Sequence, residues 1–275
     1  MGAMESAPLA GRTIAVPETR ELEVFSAMLE RRGARVLRCP LVAIRDAPDP
    51  QPVLEFAHAF AGDACDDLIL TTGEGLRRLL SCIECHAPAL KPDFLSALAR
   101  VRRITRGPKP ARALRELGLK PDIAATVPTT AGIIESLQPL DLHGRRVGLQ
   151  LYGTVPNPAL SGFLAGAGAS VRTVAPYVYA DAADTEAVQA LLRHLAAGEI
   201  DAIAFTSSPQ VERLVAVGGA QAVSAALART LVAAVGPVVT QSLARHGVQA
   251  QLMPAESFFL KPLTSALEAA LRERR

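Results

Sequence analysis

A chain of 275 residues with 49% hydrophobic content can bury two ordinary cores, so two domains are expected. A formal charge of only +2 and an aromatic share of 4% argue against a nucleic-acid or membrane-surface partner, and no apolar run approaches the roughly 18 residues that span a bilayer. Four cysteines do not make a disulfide framework, and the amino terminus lacks the charged start, apolar middle and small-residue cleavage site of a signal peptide, so a cytoplasmic location is expected. Met1–Ser6 fits a loose myristoylation pattern, but the second methionine reads better as a native start at Met4 behind a leftover Met1–Ala3.

In chain order, strands of four to six apolar residues are predicted near 12–16, 67–71, 102–105, 122–126, 146–151, 202–206, 231–235 and 249–253. Helices are predicted near 19–32, 52–61, 75–86, 93–99, 109–117, 130–138, 157–167, 184–197, 209–217, 221–227, 238–246 and 257–273. This alternation is that of parallel sheets with helices on both faces. Two further extended segments, Gly33–Pro40 and Gly168–Pro176, resemble each other and end in proline. Proline donates no ladder hydrogen bond and holds the preceding residue extended, so both segments suit an edge strand or a crossing between lobes.

The chain is internally duplicated. Asp66–Gly73 matches Asp201–Ser208 at an offset of 135, Arg100 with Gly107-Pro108 matches Arg229 with Gly236-Pro237 at 129, and Gly11-Arg12 matches Gly144-Arg145. In doubly wound sheets ligands bind beyond the carboxyl ends of the strands, so the loops that follow the strands are the place to look for function. Those loops carry Thr71-Thr72-Gly73, Thr129-Thr130, Thr206-Ser207-Ser208 and Gly236. A Ser or Thr helix cap leaves neighbouring amides open to an anion, so these are candidate anion sockets; the alternative is plain helix capping, which needs no ligand.

Arg100, Arg102, Arg103, Arg106, Lys109, Arg112 and Arg115 form the densest positive stretch. No aromatic residue interleaves it, so it reads as a solvated face, except that Arg106 and Lys109 flank a Gly-Pro turn after a strand and are placed to meet a carboxylated ligand. Cys82-x-x-Cys85-His86 matches a haem-attachment pattern but continues a predicted helix, so no metal or haem is expected. No Walker loop, dinucleotide fingerprint, zinc-protease motif or nucleophile elbow is present.

With the duplication, crossings and loops together, the chain from about Gly11 to Glu273 resembles the uroporphyrinogen-III synthase family. The carriers are Val171…Pro176-Tyr177, Phe205-Thr206-Ser207-Ser208-Pro209, Ala234-Val235-Gly236-Pro237 leading to Leu243–Val248, and Thr105–Pro110. The resemblance implies an α/β fold of two flavodoxin-like doubly wound parallel-sheet domains joined by a two-stranded hinge. It places 11–38 with 180–275 in one domain, 47–171 in the other, and hinge strands at 39–46 and 172–179. It also implies a monomeric enzyme without cofactor that dehydrates the polycarboxylate hydroxymethylbilane and closes it, with ring D inverted, to uroporphyrinogen III. Loss of hydroxide gives an azafulvene cation, the substituted carbon of ring D attacks to form a spiro intermediate, and that intermediate fragments and recloses. Tyr177 matches the family's hinge tyrosine, the candidate acid for the leaving hydroxyl, whereas Tyr179 has no assigned role. The chain departs from the family at Val238 and Val239, where many members carry hydroxyl residues. The alternative function is a tetrapyrrole-sensing module of the same fold; the short stretch after Leu252 leaves no room for an attached DNA-binding domain.

Overall fold

The structure, a computed structural model, describes residues 7–181, 185–255 and 257–274; Met1–Ser6 lies outside them. Its strands are β1 (Thr13–Val16), β2 (Arg35–Arg38), β3 (Val42–Asp46), β4 (Asp67–Leu70), β5 (Arg102–Thr105), β6 (Ile123–Ala124), β7 (Arg146–Gln150), β8 (Ser170–Val174), β9 (Tyr177–Asp181), β10 (Ala202–Phe205) and β11 (Leu231–Ala234). The chain divides into two compact units, Met1–Ala43 with Ala180–Arg275, and Ile44–Tyr179.

In the second unit five parallel strands run in the order β6-β5-β4-β7-β8. Alternation along β4 explains why it is central: Leu68 and Leu70 belong to the core under the helices Gln51–Ala61, Gly73–His86 and Lys91–Arg100. Ile69 points the other way, into the core with Ile104, Val147, Leu149 and the helices Thr130–Leu137 and Pro158–Gly166. Every residue of β4 is buried, as a strand covered on both faces requires. Numbered within the unit the order is 3-2-1-4-5, doubly wound like flavodoxin and matching the first five strands of the 3-2-1-4-5-6 dinucleotide-binding order.

The first unit has the parallel order β11-β10-β1-β2. Laid over the sequence repeat, β10, β11, β1 and β2 take the places of β4, β5, β7 and β8. The strand predicted near 249–253 is a single parallel bridge, Ala233↔Leu252, in the place of β6. The amides of Gln251 and Leu252 both donate to the one carbonyl of Val232, at 3.0 and 3.2 Å, so the chain turns instead of extending, and Pro254 has no amide with which to continue a ladder.

Gly33 and Gly168, at φ of 90° and 81°, turn the chain into β2 and β8, each at one edge of its sheet. Pro40 and Pro176 then interrupt each extended segment, and β3 and β9 pair in a two-stranded sheet of their own. The division between the units falls inside both of these strands.

Candidate functional site

In the second unit the strand order reverses between β4 and β7, so the crevice to inspect lies past Leu70 and Gln150. Thr72 is extended and caps the helix Gly73–His86, its hydroxyl oxygen accepting the Gly75 amide at 2.9 Å. The amides expected to stay open for an anion are occupied: Gln150, fully buried at the end of β7, accepts Thr71 N–H at 3.1 Å and Thr72 N–H at 3.0 Å with one side-chain oxygen. Thr71 donates its hydroxyl to the Gln150 backbone carbonyl at 2.9 Å. A buried glutamine at the tip of an apolar strand was the signal available for this residue.

Beyond this loop the chain's three tyrosines come together, in a protein with no tryptophan. Tyr177, with 0% exposure, meets Tyr179 edge-on at 5.5 Å, and Tyr179 meets Tyr152 at 5.5 Å. The Tyr177 hydroxyl lies 3.2 Å from the Thr72 hydroxyl. Burial pushes the Tyr177 phenol up, while hydrogen bonds from the Thr72 hydroxyl, the Gly153 amide and the Tyr179 hydroxyl, and the Arg106 charge, pull against it. Burial drives Tyr179 well above the usual phenol range, and its Tyr152 and Tyr177 neighbours add to that. Both phenols therefore hold their protons at neutral pH, and the Tyr177 oxygen is surrounded by groups that would receive its anion.

Arg106 follows β5, bonds its amide to Leu70 O at 3.0 Å and places its guanidinium 5.1 Å from the centre of the Tyr152 ring. Among the described residues it forms no ion pair. The neighbouring basic residues are committed: Arg100 to Asp63, Arg102 to Asp67, Arg103 to Asp122 and Arg112 to Glu116. Lys109 is exposed in the first turn of the helix Pro108–Glu116. Thr129 caps the helix Thr130–Leu137 through the Gly132 amide, and the Thr130 hydroxyl accepts from Asn157 at 3.1 Å.

The first unit repeats the loop with different chemistry. Ser207 caps the helix Ser208–Gly218 in a reciprocal box with Gln210, whose side-chain oxygen accepts Thr206 N–H at 2.8 Å and Ser207 N–H at 3.2 Å. Glu18, buried just past β1, accepts the Thr206 hydroxyl and, at 3.4 Å, the Gln210 amide group. Ser208 donates to the Val238 carbonyl at 3.2 Å, and Gly236 caps the helix Pro237–Arg245 beside the Phe258 ring. Val239, one of the residues that departs from the family pattern, is 3% exposed and belongs to the core. The sequence-predicted residues thus fall into two groups, eight in the second unit and four in the first, and of the eight it is Thr72 that meets Tyr177 directly. Gln150, Tyr152, Glu18 and Gln210 were missed. Among the described residues no group of three or more His, Cys, Asp or Glu is placed to hold a metal, and no helix is long and apolar enough to cross a membrane.

The family model described as uroporphyrinogen-III synthase HemD matches residues 23–262. The Bacillus subtilis (strain 168) protein YjjA, described as uncharacterised, is 33% identical over 90% of this chain and 91% of its own length. A crystal structure of a mutant uroporphyrinogen III synthase from the extremely thermophilic bacterium Thermus thermophilus matches with a TM-score of 0.74 at 32% identity, covering 96% of this chain and 100% of that one. The wild-type protein in another crystal form matches with a TM-score of 0.60 at 34% identity, covering 96% and 99%.

Proposed function

This chain belongs to the uroporphyrinogen-III synthase family, and on that premise we propose that it dehydrates hydroxymethylbilane and closes it to uroporphyrinogen III with inversion of ring D. The observation that carries the reading to the level of residues is the fully buried Tyr177 hydroxyl, 3.2 Å from the Thr72 hydroxyl in one cluster with Tyr179, Tyr152 and the Arg106 guanidinium.

The chemistry asks for a proton at one moment and for positioning throughout. Tyr177 gives its proton to the departing hydroxyl, which leaves as water, and the phenolate is received by the Thr72 hydroxyl, the Gly153 amide and the Tyr179 hydroxyl, with the Arg106 charge nearby. The hydroxyl is sealed from solvent in this structure, so transfer requires the surrounding groups to part and then close over the bilane, which also excludes water from the cation formed. Ring closure and inversion then depend on holding a flexible polycarboxylate in one conformation. Arg106 and Lys109 supply charge for its carboxylates, and the hydroxyls of Thr129 and Thr130 and the backbone at Gly73 and Gly236 supply donors at strand ends, while Thr71, Thr72, Thr206, Ser207 and Ser208, whose donors are held by internal acceptors, shape the loops around it. No cofactor is required by this sequence of steps, and the chain acts as a cytoplasmic monomer.

The test is a coupled assay in which hydroxymethylbilane is generated in place and the type I and type III isomers are separated. Type III is expected to dominate. An isomer ratio equal to that of enzyme-free solution overturns the proposal.

A further inference from the structure

Thr71-Thr72-Gly73-Glu74-Gly75 and Thr206-Ser207-Ser208-Pro209-Gln210 are the same loop at the repeat's offset, and in both a glutamine side-chain oxygen accepts the first two amides. The glutamine comes from different places. In the first unit it is Gln210, on the loop's own helix. In the second unit the equivalent position is Gly75, and a Cβ there would collide with the side chain of Gln150, which enters from β7 and fills the vacated space. The acceptor has been kept while its origin has moved to the neighbouring strand, and the second unit's loop meets a tyrosine through the Thr72 hydroxyl.

Hydrogen-bond counting shows what the arrangement does. The carbonyl oxygen of Gln150 has two lone pairs, and the amides of Thr71 and Thr72 fill them at 3.1 and 3.0 Å. The Thr72 hydroxyl lies farther from that oxygen, at 3.4 Å, and one of its own lone pairs is taken by the Gly75 amide. Its hydrogen is left for the Tyr177 oxygen at 3.2 Å. With Thr72 donating to it, Tyr177 keeps its own proton free to give away. We infer that Gln150 is a positioning residue for Tyr177: it fixes the Thr71-Thr72 loop and directs the Thr72 hydroxyl toward the Tyr177 oxygen, and Gly75 is the space it needs. The inference rests on the reading of Tyr177 as proton donor, but its physical content does not require a substrate.

The experiment reads Tyr177 directly. Tyrosine labelled at Cζ with carbon-13 gives three signals, because the chain has three tyrosines, and Tyr152→Phe and Tyr179→Phe assign them. Gln150→Met keeps the volume and loses the acceptor. It is expected to shift the Tyr177 signal and to lower kcat for the type III isomer roughly tenfold, with KM within about twofold. Gly75→Ala, which keeps the acceptor but takes its space, is expected to shift the same signal. Gln150→Ala combined with Gly75→Gln rebuilds the first unit's arrangement and is expected to restore both signal and rate. An unmoved Tyr177 signal in folded Gln150→Met or Gly75→Ala overturns the inference, and so does a double variant that stays as impaired as Gln150→Met. A shifted signal in a protein that makes no type III isomer supports the positioning role and sinks the proposed activity instead.

Discussion

Arg102 and Arg106 stand four residues apart, at the start of one strand and just past its end, and the second unit treats them in opposite ways. Arg102 meets the 1%-exposed carboxylate of Asp67 through two bonds, at 2.5 and 3.1 Å, and Arg145 meets the same carboxylate from the approach to β7 at 2.6 and 2.9 Å. Nearby, Asp66 holds Arg146 and also accepts its backbone amide. Arg106 rests on an aromatic ring beside a buried phenol. At the amino ends of the strands, opposite charges are closed on one another and tie β4 to its neighbours. At the carboxyl ends, the Thr72 hydroxyl and the Arg106 guanidinium gather about the tyrosines, where the proposed step would leave negative charge. One residue type is scaffold at one edge of the sheet and part of the proposed reaction site at the other, because parallel strands carry all their carboxyl ends to the same edge.

The sharpest way to break that contrast is Tyr177→Phe. Loss of the proposed acid is expected to lower type III formation by about 10²–10⁴-fold, with Tyr179→Phe far milder. Because the hydroxyl is buried and bonded to Thr72, the same variant is also expected to lose about 1–3 kcal/mol of stability by denaturant titration. A stability loss with full isomer III activity would make the carboxyl edge scaffold as well. Next in size, Asp67→Ala strands two arginines over a filled interior, and about 3 kcal/mol of unfolding free energy should disappear in urea, with kcat of the folded fraction unchanged. A fall in kcat at equal folded fraction would show that the two edges are coupled.

Smaller effects are expected at the charges. Arg106→Ala with Lys109→Ala should weaken product binding about tenfold and flatten its salt dependence, since exposed attraction is screened over about 8–10 Å. Arg103→Ala, whose partner is Asp122, should leave affinity unchanged. Equal loss in both would assign binding to overall charge and not to the carboxyl edge. The smallest effect concerns acid. Arg146 holds the Asp66 carboxyl down to about 2, from an ordinary 3.8. A depressed carboxylate contributes stability above its unfolded pKa and loses it as the proton returns, so this share should be present above about pH 4 and fade between about pH 4 and 2. Solvent screening leaves it at about 1 kcal/mol, and Asp66→Asn should remove that slope from a plot of stability against pH.

The Tyr177 cluster shows where sequence reading stopped. Alternation set Tyr177 and Tyr179 on one side of an extended segment, and their rings do meet edge-on. It did not place Tyr152, which arrives from the turn after β7, or reveal that Thr72 reaches Tyr177 across a gap of 105 residues. In the basic run from Arg100 to Arg115 the sequence set Arg106 and Lys109 apart by their Gly-Pro turn and could offer Glu116 to Arg112 at helical spacing, but it did not reveal that Asp63, Asp67 and Asp122, scattered along the chain, take up Arg100, Arg102 and Arg103.

By itself the sequence determined the alternation of buried strands and amphipathic helices, the duplication, the proline breaks that end the edge strands, and which loops lie at strand ends. All of these are written in local periodicity, backbone chemistry or repetition. Only the tertiary structure decided which amides remain open and which arginines remain uncommitted, because each hydrogen bond and ion pair needs two partners whose separation in the chain carries no signal. The two glutamines state the reason compactly. Gln210 caps its own helix and could be read from a capping pattern, whereas Gln150 does the same work from another strand and is visible only once β7 lies beside β4.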